Sequence, residues 1–115
     1  MIQQNTRIDD VTILRLAGRL DVHQLETVAP ILAAETAREQ PKVVVNMFGI
    51  SFIDADGLSL LEQYHQQCQA QDGEFYLCQT GNLVRIILEL TRKSDTFTVF
   101  DSELSALGAM AKTVH

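Results

Sequence analysis

The feature that most constrains the fold is the run Val43, Val44 and Val45, which leaves neither face of a strand polar. A β-branched run without alternation is typical of a strand covered on both faces. Other strand-like runs occupy residues 8–17, 74–78 and 96–100, and segments of helical spacing separate them. A short strand before the Asp9-Asp10 turn would complete a hairpin. We therefore predict an α/β fold whose mixed sheet has an N-terminal hairpin followed by parallel strands.

The sequence of the first helix contains an N-terminal cap signal and also a proline that does not fit a helix beginning at that cap. Asp21 followed three residues later by Gln24 has the spacing of a capping box. Pro30, however, lies inside the same helical pattern, and proline is comfortable only near a helix start. We expect the regular helix to begin later than the cap suggests, or to bend at Pro30.

Length and charge limit the possible functions. The chain has 115 residues, which predicts one domain spanning 1–115. Its net charge of −6 disfavours nucleic acid and anionic membrane surfaces as partners. No signal peptide or spanning segment is visible, and Cys68 and Cys78 alone do not make a disulfide framework. A reducing cytoplasm is the expected location, without direct membrane insertion.

Residues with catalytic chemistry do not group in this sequence. His23, His65 and His115 show no metal-ligand spacing with one another or with the cysteines. Ser59 and His65 are too far apart on a helix to form a nucleophile-base pair, and there is no phosphate-binding P-loop. We predict a protein that is not an enzyme and that has no cofactor, no metal and no catalytic residues.

Several motifs, in order along nearly the whole chain, together resemble the STAS domain family. Gly18-Arg19-Leu20-Asp21 resembles the Gly-x-Leu-Asp that ends its early strand. Residues 43–46 followed by residues 49–58 resemble its central block, in which an apolar strand and a short connection lead to Asp-Ser-Ser/Thr-Gly-Leu. Later matches are Gly73 with residues 75–77, residues 84–90 and residues 97–100. The resemblance implies a small mixed sheet with about four helices, packed mostly on one face.

The resemblance also implies a function. Free-standing members of the family act as anti-sigma-factor antagonists. A partner serine kinase, an anti-sigma-type ATPase, phosphorylates one Ser or Thr in the central block, and a cognate phosphatase reverses the switch. The implied function is a non-enzymatic, phospho-switched binding module in a partner-switching pathway. A single-domain regulator of polysaccharide or biofilm output is one setting for it.

The sequence departs from the family at Asp56, which stands where the acceptor hydroxyl is expected, directly before Gly57. One carboxylate charge partly mimics a phosphoserine, which carries about −1.5 to −2. Asp is also a preferred residue at and near helix N-caps, where it stabilises by about 0.5–2 kcal/mol relative to Ala. A third possibility is an engineered replacement of a native serine. These interpretations stay open at the level of sequence.

The predicted partner-binding surface surrounds this position. Asp54 matches the family's constant Asp and is expected to cap the helix. Phe52 is either a core residue, which we favour, or an exposed anchor. Thr80, before Gly81, is either a second acceptor hydroxyl or, more simply, a helix cap. The full set of predicted partner-binding residues is Asp21, Ser51, Phe52, Asp54, Ala55, Gly57, Leu58 and Ser59.

A second function is compatible with the same family. Free-standing STAS proteins also serve as accessory subunits of ABC-type lipid transporters. The acidic chain fits both functions, and co-purification of either a histidine-kinase-like ATPase or an ABC ATPase would discriminate them.

Overall fold

The computed structural model describes residues 2–113. A five-stranded sheet has the order β1-β2-β3-β4-β5, with β1 antiparallel to β2 and all later neighbours parallel. The predicted mixed α/β sheet with four helices is confirmed. Its strands are β1 Ile2–Ile8, β2 Val11–Leu20, β3 Lys42–Ile53, β4 Glu74–Cys78 and β5 Thr98–Phe100, and its helices are α1 Leu25–Thr36, α2 Ala55–Ala70, α3 Gly81–Leu90 and α4 Glu103–Thr113.

Side chains that alternate along the central strand are buried in two separate clusters. Val43, Val45 and Met47 join the larger cluster, which also contains apolar residues of α1, α2 and α3. Val44 points the other way, into a smaller cluster with Ala106 of α4. Three helices therefore cover one face and α4 covers the other, which explains why the valine run shows no polar alternation.

β3 is longer than the sequence predicts. We expected residues 49–53 to form a connection, but β3 continues to Ile53 because β2 continues beside it to Leu20. The register shifts between Arg15 and Ala17 and again between Gly18 and Arg19, as at β-bulges. β3 pairs with β4 only as far as Asn46, so its last residues extend beyond β4.

The first helix begins later than its cap signal, as one of the two expectations stated. Asp21 caps a 3-10 turn, Val22–Gln24, by accepting the His23 N–H at 3.1 Å. α1 starts only at Leu25, so Pro30 lies inside the helix.

A polar network holds α4 against the sheet. Glu103, the first residue of α4, accepts two hydrogen bonds from Arg15, at 2.8 and 2.7 Å, and one from Asn46 at 2.6 Å. The Arg15 guanidinium holds the pKa of the Glu103 carboxyl below its usual range. Asn46 also donates to the Gln79 side chain at 2.8 Å, so the network reaches the end of β4.

Candidate functional site

The candidate site lies where β2 and β3 end and α2 begins. Asp54, directly after β3, is the N-cap of α2, and its Oδ1 accepts the Gly57 N–H at 2.8 Å. Its Oδ2 accepts the Val22 N–H at 3.1 Å, and its own N–H donates to the Leu20 carbonyl at 3.3 Å. Asp54 thus joins the start of α2 to the turn that follows β2.

These hydrogen bonds stabilise the ionised form of Asp54. The hydrogen bond from the Gly57 N–H has the largest effect and lowers the pKa of this carboxyl. Burial has a smaller, opposite effect, and the Val22 N–H again lowers the pKa, so that it lies below its ordinary value of 3.8. Asp54 is therefore an anionic cap at neutral pH, as its position in the sequence predicts.

Asp56 lies in the first turn of α2, two residues after the cap. Its side chain is exposed, as are those of Ala55 before it and Ser59 one turn later. Because Asp54 already caps the helix, Asp56 is not the cap residue. Its carboxylate faces solvent near the positive end of the helix dipole, where a negative charge is favoured.

Gly57 and Leu58 lie beneath this surface and not on it. A Cβ added to Gly57 would stand 2.2 Å from the Leu20 carbonyl oxygen, so the glycine permits a close approach of α2 to β2. Leu58 is 5% exposed and belongs to the core. Our inclusion of the Leu58 side chain in a docking surface is therefore corrected, because helical spacing turns it towards Leu61 and the sheet.

Phe52 takes neither of the two positions we considered. It is half-buried and belongs to neither core cluster, so the favoured core assignment is wrong. The Arg19 guanidinium stacks on its ring, 4.2 Å from the centroid, because Arg19 and Phe52 are paired across β2 and β3. Arg19 also forms an ion pair with Asp21, Nε to Oδ2, at 3.2 Å.

The remaining predicted residues lie at the same end of the sheet. Asp21 follows β2, is nearly buried and accepts from both Arg19 and His23. Ser51 is exposed on β3, and its hydroxyl donates to the Gly18 carbonyl at 3.2 Å. The structure thus brings Asp21, Ser51, Phe52 and Asp54 together with the exposed start of α2.

Arg19 is the residue of this surface that we did not predict. It is the unspecified residue of the Gly-x-Leu-Asp motif, and its neighbours Leu20 and Asp21 drew attention instead. Alternation with the buried Leu20 favours an exposed position for Arg19, but it does not identify Phe52 as the residue that Arg19 contacts.

Other kinds of site find little support in the described part of the chain. Among residues 2–113, no three His, Cys, Asp or Glu side chains group as metal ligands, and His115 lies outside these residues. Cys68 and Cys78 are buried and unpaired, and burial raises the pKa of their thiols to about 12 and about 11. No helix of the described chain combines the length and apolar character needed to span a bilayer.

The fold and this site together define a STAS domain. The family model described as "STAS domain" matches residues 3–106, and the chain belongs to that family. A curated relative, the anti-sigma F factor antagonist of Paenibacillus polymyxa, is 26% identical over 98 residues, covering 84% of each chain. Such antagonists are regulators rather than enzymes.

Solved structures agree on the fold. An anti-sigma-factor antagonist (STAS) domain protein from Planctomyces limnophilus has a TM-score of 0.85 at 23% identity, covering 94% of this chain and 97% of its own. The Bacillus cell fate determinant SpoIIAA in its phosphorylated form has a TM-score of 0.70 at 18% identity, covering 92% and 96%.

Proposed function

We propose that this protein is a phospho-switched protein-binding regulator, not an enzyme, and that Asp56 holds it in the state that resembles phosphorylation. Its partners are a serine kinase of the anti-sigma ATPase type and a cognate phosphatase. The observation that carries the proposal is the division of roles at the start of α2: Asp54 caps the helix, and Asp56 presents an exposed carboxylate.

The chemistry of the position supports a switch. The first turn of a helix tolerates an added negative charge without refolding, since the helix dipole favours it even where the N–H groups are already capped. The consequence then falls on the partner, whose surface accepts or rejects the charge. Asp56 supplies one charge where phosphoserine supplies about −1.5 to −2, so it mimics that state in part.

One curated relative and one structure of the same fold support this class of partner. One is named an anti-sigma F factor antagonist, and one similar structure is of SpoIIAA in the phosphorylated form. A protein of this fold can therefore carry a phosphate. The present chain offers no hydroxyl at the corresponding position, because that residue is Asp56.

The test is a pull-down from the source cell with the parent protein and Asp56→Ser as parallel baits, read by mass spectrometry. We expect Asp56→Ser to retain a histidine-kinase-like ATPase that the parent does not retain. Purified kinase with ATP should then phosphorylate the hydroxyl introduced by Asp56→Ser and leave the parent unmodified. Equal retention by both baits would contradict the proposal.

A matched control separates the position of the charge from the amount of charge. The double variant Asp56→Ser with Gln66→Glu restores the parent's net charge on an exposed residue of α2, about three turns from Asp56 and outside the predicted partner-binding residues. We expect it to bind the kinase nearly as well as Asp56→Ser. Loss of binding in the double variant would mean that bulk charge, and not Asp56, decides docking.

The alternative, an accessory subunit of an ABC-type lipid transporter, has one observation in its favour. Leu83, Ile86 and Leu90 form an exposed apolar stripe on α3 at helical spacing, and a permanent subunit contact would cover such a stripe. If both baits retain transporter subunits equally, this alternative replaces the partner-switching proposal.

A further inference from the structure

A second helix start, at α3, opens onto a cavity of about 350 Å³. The cavity lies beside the part of β3 that extends beyond β4, where Phe48 is 77% exposed. It is lined by Phe48, Gln79, Thr80, Gly81, Arg85, Phe100 and Asp101. None of these residues belongs to the surface around Asp56.

The backbone at this helix start presents unbonded N–H groups. The backbone of Thr80 has a right-handed helical conformation, with φ −68° and ψ −25°, and that of Gly81 has a left-handed conformation, with φ 72°. This succession turns neighbouring N–H groups towards one point and forms a concavity that binds anions. Within residues 2–113, the N–H groups of Thr80, Gly81 and Asn82 have no hydrogen-bond acceptor.

The side chain of Thr80 gives an independent indication of a ligand. Thr80 is only 5% exposed, yet its hydroxyl neither caps α3 nor bonds to any other described residue. Among the described residues, side-chain atoms that are sealed from solvent and lack a hydrogen bond belong to His65 and to Glu62, whose Oε2 is ion-paired with Lys93, and the Thr80 hydroxyl is not one of them. The small accessible part of Thr80 therefore includes the hydroxyl, and it faces the cavity that Thr80 lines.

Space and charge suit a tetrahedral oxyanion. A Cβ added to Gly81 would meet nothing within 4 Å, so the concavity is open. Arg85, one turn into the ten-residue α3, adds a guanidinium to the helix dipole. Asp101 lines the same cavity and opposes an anion, whereas Phe48 and Phe100 offer apolar surface to the rest of a ligand.

We propose that the turn between β4 and α3 is a binding site for a phosphate monoester. Its phosphate is held by the N–H groups of Thr80, Gly81 and Asn82, by the Thr80 hydroxyl and by Arg85. Its organic part lies against Phe48. This site is separate from Asp56 and does not depend on partner switching.

The test uses the full chain, labelled with 15N, and two probes: inorganic phosphate and phenyl phosphate, at constant ionic strength. We expect saturable amide shifts at Thr80, Gly81 and Asn82. The first turn of α2 is the internal control, and its amides should not shift, because Asp54 already occupies that helix start. Phenyl phosphate should bind about three- to tenfold more tightly than inorganic phosphate, and Phe48→Ala should remove that difference.

Three variants identify the groups that hold the phosphate. Thr80→Val removes the hydroxyl at constant shape, and Arg85→Gln removes an exposed charge, so each should weaken binding by about tenfold without unfolding the domain. Asp101→Asn should tighten binding by about two- to fivefold. Shifts that do not saturate, equal shifts at the start of α2, or unchanged binding in Thr80→Val and Arg85→Gln would each overturn the proposal.

Discussion

The helices α2 and α3 both begin where a parallel strand of the sheet ends, but their first turns have opposite character. At α2, the Asp54 carboxylate accepts the Gly57 N–H, and Asp56 places a second carboxylate beside it. At α3, the Thr80 side chain forms no cap, and Gly81 adopts a positive φ. The sheet therefore decides where a helix begins, and a few side chains decide whether its N–H groups are satisfied from within the chain or remain open.

The largest effect that we predict from this comparison is the loss of stability on replacing Gly57, at the start of α2. Gly57→Ala would force a Cβ to within 2.2 Å of the Leu20 carbonyl oxygen and 3.0 Å of the Leu20 Cγ, so α2 must move away from β2. We expect the free energy of unfolding to fall by about 2–3 kcal/mol, as for overpacking against backbone. Urea denaturation followed by circular dichroism measures it.

Gly108→Ala is the matched control for Gly57→Ala. Gly108 lies in α4, and a Cβ there would meet nothing within 4 Å. We expect this variant to be neutral, or more stable by up to about 1 kcal/mol. A Gly57→Ala protein as stable as Gly108→Ala would show that α2 does not approach β2 as closely as described.

Asp54 gives the next largest effect, because it alone caps α2 and also holds the Val22 N–H. Asp54→Ala should lower the free energy of unfolding by about 1–2 kcal/mol at pH 7. The pKa of the carboxyl is lower in the folded protein, so its contribution is complete above the unfolded pKa and is lost as pH falls through the folded value. The difference between the parent and Asp54→Ala should therefore shrink below about pH 4.

Asp54→Asn separates the cap from its charge. Asn caps a helix about as well as Asp, and it does not titrate. Its stability relative to Asp54→Ala should therefore persist in acid. A parent protein whose advantage over Asp54→Ala stays constant from pH 7 to pH 3 would contradict the assignment of Asp54 as an anionic cap.

Gly81→Ala, at the start of α3, should lower the free energy of unfolding less than Gly57→Ala does, and for a different reason. Gly81→Ala meets no atoms within 4 Å, but it places a side chain on a residue with φ 72°. We expect a loss of about 1 kcal/mol in the free energy of unfolding, from the conformation alone. A loss as large as that of Gly57→Ala in the same urea titration would show that packing, and not φ, restricts this turn.

Part of this comparison could be predicted from the sequence. Asp54 acts on a residue three positions away, so a local motif was enough to identify it as the cap. The burial of Leu58 was also readable, because it shares a helical face with Leu61 and Tyr64. We nevertheless placed Leu58 in the docking surface on the basis of the family resemblance, although its helical spacing favoured a core position.

Other parts depend on geometry that no local pattern contains. The stack of Arg19 on Phe52 follows from the β2–β3 register, which two shifts determine, so alternation alone could not predict it. Thr80 followed by Gly81 is typical of a helix cap, but the positive φ of Gly81 changes the turn and no cap bond forms. The β2–β3 register and the φ angle of Gly81 are therefore the two features that could not be predicted from the sequence.

The smallest expected effect is the one that assigns Asp56 its role. If Asp56 matters to the fold only through the helix dipole, Asp56→Ala should lower the free energy of unfolding by no more than about 0.3–1 kcal/mol, because Asp54 keeps the cap. This small change is measured by urea denaturation at low and at high salt, and salt should reduce it by screening. A loss equal to that of Asp54→Ala would make Asp56 part of the cap. A small loss, accompanied by a large change in kinase retention, leaves partner binding as the property that Asp56 controls.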